Sequence, residues 1–329
     1  MNRTIQFGTS LLTSVLGLFV MLGTAQAQTG FPNKPVRLIL PFAVGGSTDA
    51  MARLLAQKLS EIWGQTVLVD SKPGGTSTIG TLDLVRSPAD GHTLLFVNND
   101  FVINPNLIPN MPYDTLKDIA AVGPLARSDY VLAINASVPA NNLKELIALA
   151  KSKSGQLNAA STGTGGPQHL AHELFNTMAD VKIVHIPYRG AAPAMTDLLG
   201  NQVQMTFSNP MSLNAAITAG KLKGIAISGD KRSPILPNVP TFAEAGLPGY
   251  RATNWFGIVM HARTPPELIN RISADIIRVQ RSTDFPAQLI KSGVEPFVMN
   301  ASEFSAFVRE EIERIGKLIK SANIKLEQH

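Results

Sequence analysis

The chain has no cysteine among its 329 residues. That excludes disulfides and thiol catalysis and removes the commonest ligands of structural zinc. Charge is sparse and dispersed: 29 Lys and Arg against 24 Asp and Glu leave a net charge of +5. The basic residues stand in small groups such as Lys151/Lys153, Lys221/Lys223 and Lys231-Arg232, with no run of five. Aromatic residues make up only 6%, so phosphate tracking and base stacking are both unsupported and no nucleic-acid partner is expected. The charges read as a solvated surface with a mild preference for small anions. Hydrolytic signatures are missing too. There is no G-x-S-x-G elbow and no H-E-x-x-H, so no enzyme activity, metal or cofactor is expected.

One segment is strongly apolar, from Leu11 to Leu22, preceded by Arg3 and followed by Ala25-Gln26-Ala27. It is shorter than the ~20 residues a membrane-spanning helix needs and is interrupted at Gly17. A basic start, a short apolar stretch and an A-x-A site describe a signal peptide over 1–27, with the mature chain starting at Gln28. No other segment is apolar enough to span a bilayer. A soluble protein outside the cytoplasm is expected, in the periplasm of a Gram-negative cell.

The remainder is long enough for two domains of about 150 residues, each able to bury its own core. Val36 to Leu40 reads as a buried strand, and Met51, Leu54, Leu55, Leu59 and Ile62 mark one face of a helix that stops at Gly64. A strand from Thr66 to Val69, a helix from Ile79 to Val85 and a strand from Thr93 to Val97 follow. A second alternation of helices and strands runs from Leu143 to Ile227, and two strand-like runs, Tyr130 to Ile134 and Trp255 to Met260, bracket it. The alternation predicts parallel α/β sheets. After Met260 the pattern is helical, over Pro265 to Arg281, Pro286 to Lys291 and Glu303 to Lys320. These helices are expected to return to the first domain. The architecture is therefore α/β, two lobes joined by two crossing strands with a ligand cleft between. Lobe 1 is discontinuous, 28–129 and 254–329, and lobe 2 covers 130–253.

The stretches LILPFAVGGSTDAMARLLAQKL and NAASTGTGGPQHLAHELFNTM can be superposed with their Gly-Gly pairs in register. Gly45-Gly46 then matches Gly165-Gly166, and Asp49 matches His169. A strand, a glycine turn and a helix N-terminus make an anion site, because unpaired N–H groups and a partial positive charge collect there and glycine lets a ligand approach closely. Neither turn has the lysine of a nucleotide loop or the third glycine of a dinucleotide loop. What remains is a cradle of amides and hydroxyls, with Ser47 and Thr48 in one turn and Thr162 and Thr164 in the other, sized for a carboxylate. Ordinary capped α/β turns, with Ser47, Thr48 or Asp49 capping and Pro167 at the first helical position, are the structural alternative. His169-x-x-His172-Glu173 puts two imidazoles near one helix face, read as a histidine orienting the turn or the ligand rather than as a metal site.

Beyond the turns, an ordered series of phrases resembles the substrate-binding receptors of tripartite tricarboxylate transporters, the Bug-type receptors. These are PFAVGGSTDAMARLLAQKL, KPGG, SPADGHTLLF, PYDTLKDIAAVGPLA, STGTGGPQHLAHELF, PYRGAAPAMTDLLGNQVQMTF, KRSPILPNVPTFAEAGLPGY and NWFGIVM, running in family order from Pro41 to Met260. The resemblance implies a type II periplasmic-binding-protein fold that closes on a small carboxylate and delivers it to membrane transporter subunits, acting as a monomer. It implies ligand contacts from Phe42, Ala43, Gly45, Gly46, Ser47 and Asp49 in one lobe. From the other come Thr162, Gly163, Thr164, Gly165 and His169, with Tyr188, Phe207 and Ser208 as further lining. Val44, Ser71-Lys72 and Gly166-Pro167-Gln168 depart from the usual pattern. The polar loop Asn98-Asn99-Asp100 is expected at the distal end of the ligand. The same cleft would also serve a periplasmic sensor of a membrane kinase.

Overall fold

A computed structural model describes residues 30–324 apart from 43, 46, 189 and 292. The expected signal peptide, Ala43, Gly46 and the Ser47 side chain lie outside the described residues.

The first α/β series contains β1 (Val36–Leu40), α1 (Ser47–Trp63), β2 (Val67–Ser71), α2 (Thr78–Arg86), β3 (Thr93–Asn98), α3 (Asp100–Leu107) and β4 (Ile119–Asp129). The second contains β5 (Val131–Asn135), α4 (Leu143–Ser152), β6 (Asn158–Ser161), α5 (Pro167–Ala179), β7 (Val184–Pro187), α6 (Ala191–Leu199), β8 (Met205–Ser208), α7 (Pro210–Thr218) and β9 (Leu222–Ile227). The chain ends with β10 (Thr253–His261), α8 (Pro266–Gln280), α9 (Asp284–Lys291), β11 (Glu295–Pro296) and α10 (Ala301–Ser321). The strands form two sheets, in the orders β11-β4-β10-β3-β1-β2 and β7-β6-β8-β5-β9. This is a two-lobed α/β fold, as expected.

β1 is almost continuously apolar because helices cover both faces of its sheet. Its exception, Arg37, is half-buried and held by Asp83 at 2.9 Å, Asp70 at 3.3 Å and the Ser87 hydroxyl at 2.8 Å. α1 presents Met51, Leu55 and Leu59 to one core, where Ile272, Ile276 and Val279 of α8 and Phe285 and Leu289 of α9 meet them. Phe304, Val308 and Ile315 of α10 cover the other face of that sheet with Trp255 and Val259 of β10. The terminal helices thus return to the first sheet.

Two elements have weak sequence signals. β4 is interrupted by Gly123-Pro124, where its ladder to β10 slips register. α3 carries Pro105 in its interior, and its polar start reads as loop.

The chain passes between sheets twice. β4 runs into β5 with only Tyr130 between them, and the return ends at Ala252 before β10. Ser228 ties the passages together: its N–H donates to the Tyr130 carbonyl at 2.9 Å. Its hydroxyl accepts from the Tyr130 N–H at 2.9 Å and donates to the Ala252 carbonyl at 2.5 Å. The Thr253 hydroxyl donates to Asp129 at 3.1 Å. Asp129 is pushed up from the ordinary carboxylate range by burial, an effect its Thr253 partner opposes.

Candidate functional site

In open α/β sheets, ligands gather beyond the carboxyl ends of parallel strands where the strand order reverses. Each sheet here has one such point. β1 lies between β2 and β3, parallel to both, and β6 lies between β7 and β8, parallel to both. The turn from Phe42 to Ser47 leaves β1 at that point, and the turn from Thr162 to Gly166 leaves β6. The crossings lie at the same ends: Phe256 of β10 pairs with Asn98 at the end of β3, and Val131 of β5 pairs with Ser208 at the end of β8. Both sheets therefore direct their carboxyl ends toward the interlobe crossing.

The two turns share a specific construction. In the first, the Gly45 N–H donates to Asp49 Oδ2 at 3.0 Å. In the second, the Gly165 N–H donates to His169 Nδ1 at 2.9 Å. Glycine supplies the left-handed backbone in both, at φ +88° for Gly45 and +77° for Gly165, where a Cβ would be strained. Each acceptor, four residues on, is buried in the first turn of its helix. The Arg53 guanidinium, with Nε 2.9 Å from Asp49 Oδ1, and the Gly45 amide hold the Asp49 carboxyl below its ordinary range.

Around His169 the environment is imidazole-rich. The His185 ring stacks on it at 3.6 Å with a 10° tilt, and His172 lies 6.5 Å away. His185 Nε2 is 2.5 Å from the Ser161 hydroxyl. Glu173 Oε1 is 3.6 Å from His169 Nε2 and 3.3 Å from His172 Nδ1. Burial depresses His172 to about 4, opposed by Glu173. Burial also depresses His185 to about 3, reinforced by the neighbouring imidazoles. Among the described residues no group of three or more side chains is arranged to hold a metal ion; stacked rings leave no common point for their lone pairs.

The remaining amides of the second turn divide into used and free. Thr162 donates to Gln168 Oε1 at 2.9 Å and Gly163 to the Ser161 hydroxyl at 3.1 Å. The N–H groups of Thr164 and Gly166 have no hydrogen-bond partner among the described residues.

These placements revise several expectations. The Gly165 N–H is engaged by His169 and is not offered to a ligand. The Phe207 ring is fully buried, packed with Phe175, Phe242 and Tyr250, so it supports the second core instead of lining a cleft. The Tyr188 hydroxyl donates to Asp197 at 2.7 Å. Asn98 Oδ1 accepts the Asp100 N–H at the start of α3. Asn99 bonds the Thr253 carbonyl at 2.9 Å and the Trp255 N–H at 2.8 Å, and Ser77 donates to Asp100 at 3.3 Å. That loop is internally committed because it anchors β10. Phe42 is half-buried against Phe96, and Ser208 remains partly exposed at the end of β8.

An interlobe crevice of about 270 Å³ adjoins these ends. Ala50, Met51 and Leu54 of α1 line it opposite Asn209, Met211 and Ser212 at the start of α7, with Asn254 and Phe256 of β10 between. Asn254 Oδ1 is buried there without a hydrogen-bond partner. Asn209 and Asn254 were missed from sequence. Asn209-Pro210 carries an N-cap signal, and Asn254 is the first residue of the recognisable NWFGIVM run.

The family model described as "Tripartite tricarboxylate transporter family receptor" matches residues 51–324. The chain belongs to that receptor family. Protein BugT of Bordetella pertussis is 32% identical over 320 residues, 96% of this chain and 98% of that protein. Among solved structures, R. palustris Rpa4515 with adipate is 32% identical with a TM-score of 0.77, covering 90% of this chain and all of that one. MatC from Rhodopseudomonas palustris with bound malate is 27% identical with a TM-score of 0.72, covering 88% of this chain and all of that one. No helix among the described residues is long and apolar enough to cross a membrane.

Proposed function

We propose that this receptor captures a small carboxylate, of the mono- or dicarboxylate class, between the two glycine turns and passes it to the membrane subunits of a tripartite tricarboxylate-type transporter. The observation that carries the proposal is the duplicated turn, set at the reversal point of each sheet with no lysine in either copy. The resident groups suit that ligand. Free amides at Thr164 and Gly166, the hydroxyls of Thr162 and Thr164, and the helix N-termini of α1 and α5 favour an anion without the charge a phosphate would recruit. Adipate and malate in the two related receptors are carboxylates of this size.

The site consists of Phe42 to Asp49 from lobe 1 and Thr162 to Thr164 with Gly166 from lobe 2, with Ser208, Asn209 and Asn254 bordering it. The lobes divide near Tyr130 and Ala252, and Ser228 is the hinge clamp. Capture works by lobe closure, without bond making. The location is periplasmic, after removal of 1–27, and the receptor works as a monomer.

A thermal-shift panel tests this reading. Adipate or malate at a hundredfold excess over Kd stabilises the folded state by about 2.7 kcal/mol, while nucleoside phosphates and neutral sugars leave the melting temperature unchanged. Stabilisation by nucleotides and none by carboxylates would contradict it.

A further inference from the structure

The shared hydrogen bond of the two turns ends on different acceptors. Asp49 is an anion secured by Arg53. His169 accepts through Nδ1, which places its single proton on Nε2, toward Glu173. One ring face is covered by His185 at 3.6 Å, and the side chain is only 9% exposed. Nδ1 is committed to Gly165, one face is covered, and Nε2 points toward the Glu173 carboxylate 3.6 Å away, so little of the imidazole is left to reach a ligand.

Resting on the carboxylate-receptor reading, we propose that His169 is a positioning residue that acts through Gly165 and does not touch the ligand. Its Nδ1 holds the Gly165 N–H, keeps that glycine left-handed, and so presents the neighbouring Thr164 and Gly166 amides to the carboxylate. The reading separates from direct contact by sign. A proton added at Nδ1 sets two donors against each other at the 2.9 Å spacing of the present bond, so the turn opens and affinity falls. A histidine touching the ligand would gain affinity from the same proton. The titratable and charged groups around His169 are His172 and Glu173 on α5 and His185 on β7. Arg314 of α10 and Arg251 line the crevice beside Pro167 and Leu170 at the start of the helix.

The test uses the wild type, His169→Asn and His169→Ala. Adipate titration calorimetry is run from pH 8 to 5, with amide exchange of Gly165 followed in the ligand-free protein. Asn offers an oxygen where Asp49 does in the first turn. His169→Asn therefore stays within about threefold of wild-type affinity near pH 8 and shows a flatter pH profile. His169→Ala weakens adipate at least about tenfold and exposes the Gly165 amide to faster exchange. Wild-type affinity that rises on acidification, or a Gly165 amide equally protected in His169→Ala, overturns the proposal. If wild type binds no adipate, the receptor reading loses its support separately, and Gly165 exchange still decides the role of His169. If His169→Ala does not fold, Gly165 exchange across the pH series decides: wild type loses protection in acid and His169→Asn does not, whereas equal behaviour overturns the proposal.

Discussion

The turn after β1 and the turn after β6 have the same backbone device, a left-handed glycine whose amide is caught four residues later, but they differ in charge and in burial. The first is open at its tip, where Val44 is 65% exposed, and its buried acceptor is a carboxylate paired with an exposed arginine. The second is sealed by three imidazoles and one carboxylate. One geometry is thus stabilised by an ion pair in one lobe and by neutral stacked rings in the other. The difference shows that turn geometry is set by glycine and an acceptor at fixed spacing, whereas the chemical nature of the acceptor is free to set how each turn responds to pH.

Acid separates the two turns most strongly. His172 and His185 titrate well below their ordinary value in the fold, so the unfolded chain takes up protons first. The stability they contribute is complete above about pH 7 and is lost as pH falls from about 6.5 toward the folded values. At pH 5 the loss is about 2 kcal/mol for His172 and somewhat less for the more accessible His185. Asp49 has its pKa lowered, so its contribution persists above the ordinary carboxylate range and is lost only as pH drops through and below it. Urea titrations at pH 7.5 and 5, with peptide-resolved hydrogen exchange, are expected to show segment 158–187 opening before segment 36–50. Equal opening of both segments would remove the distinction.

Much of this comparison is visible in the sequence. The overlay pairs Gly45 with Gly165 and Asp49 with His169 because strand, turn and helix each impose a period on the residues, and the acceptors fall at matched positions. What the overlay does not show is where the hydrogen bonds go. The engagement of the Gly165 amide depends on a side-chain rotamer, and the arrival of His185 depends on β6 and β7 pairing in parallel so that Ala159 sits beside His185. Phe207 is apolar at the end of a strand, and only the packing of Phe242 and Tyr250 decides that its ring points into the core. β4 escapes detection because Gly123-Pro124 breaks its pattern, and the role of Asn99 rests on a partner 154 residues away.

The crossing that keeps the turns opposed supplies the next effect. Ser228→Ala leaves the buried Tyr130 N–H without its hydroxyl acceptor, an expected loss of about 1–3 kcal/mol by urea denaturation. Stability within about 0.5 kcal/mol of wild type would show that the hydroxyl is not the clamp.

Gly45→Ala and Gly165→Ala sharpen the comparison at smaller scale. A Cβ on Gly45 meets nothing within 4 Å, so its cost is the left-handed backbone alone, about 1–2 kcal/mol. Gly165→Ala carries the same backbone cost and also disturbs the Thr164 amide, so it is expected to weaken adipate more than Gly45→Ala does. Calorimetry on both variants measures the order. The smallest effect is expected for Arg53→Ala, which leaves the Gly45 to Asp49 bond in place and changes adipate affinity by less than about twofold.

The central claim is that one ligand is held by both turns. Hydrogen exchange resolved to segments 41–50 and 162–169, measured with and without saturating adipate, tests it most directly. The account predicts that both segments gain protection together at the same ligand concentration. Saturable binding that protects only one segment, or neither, would contradict it.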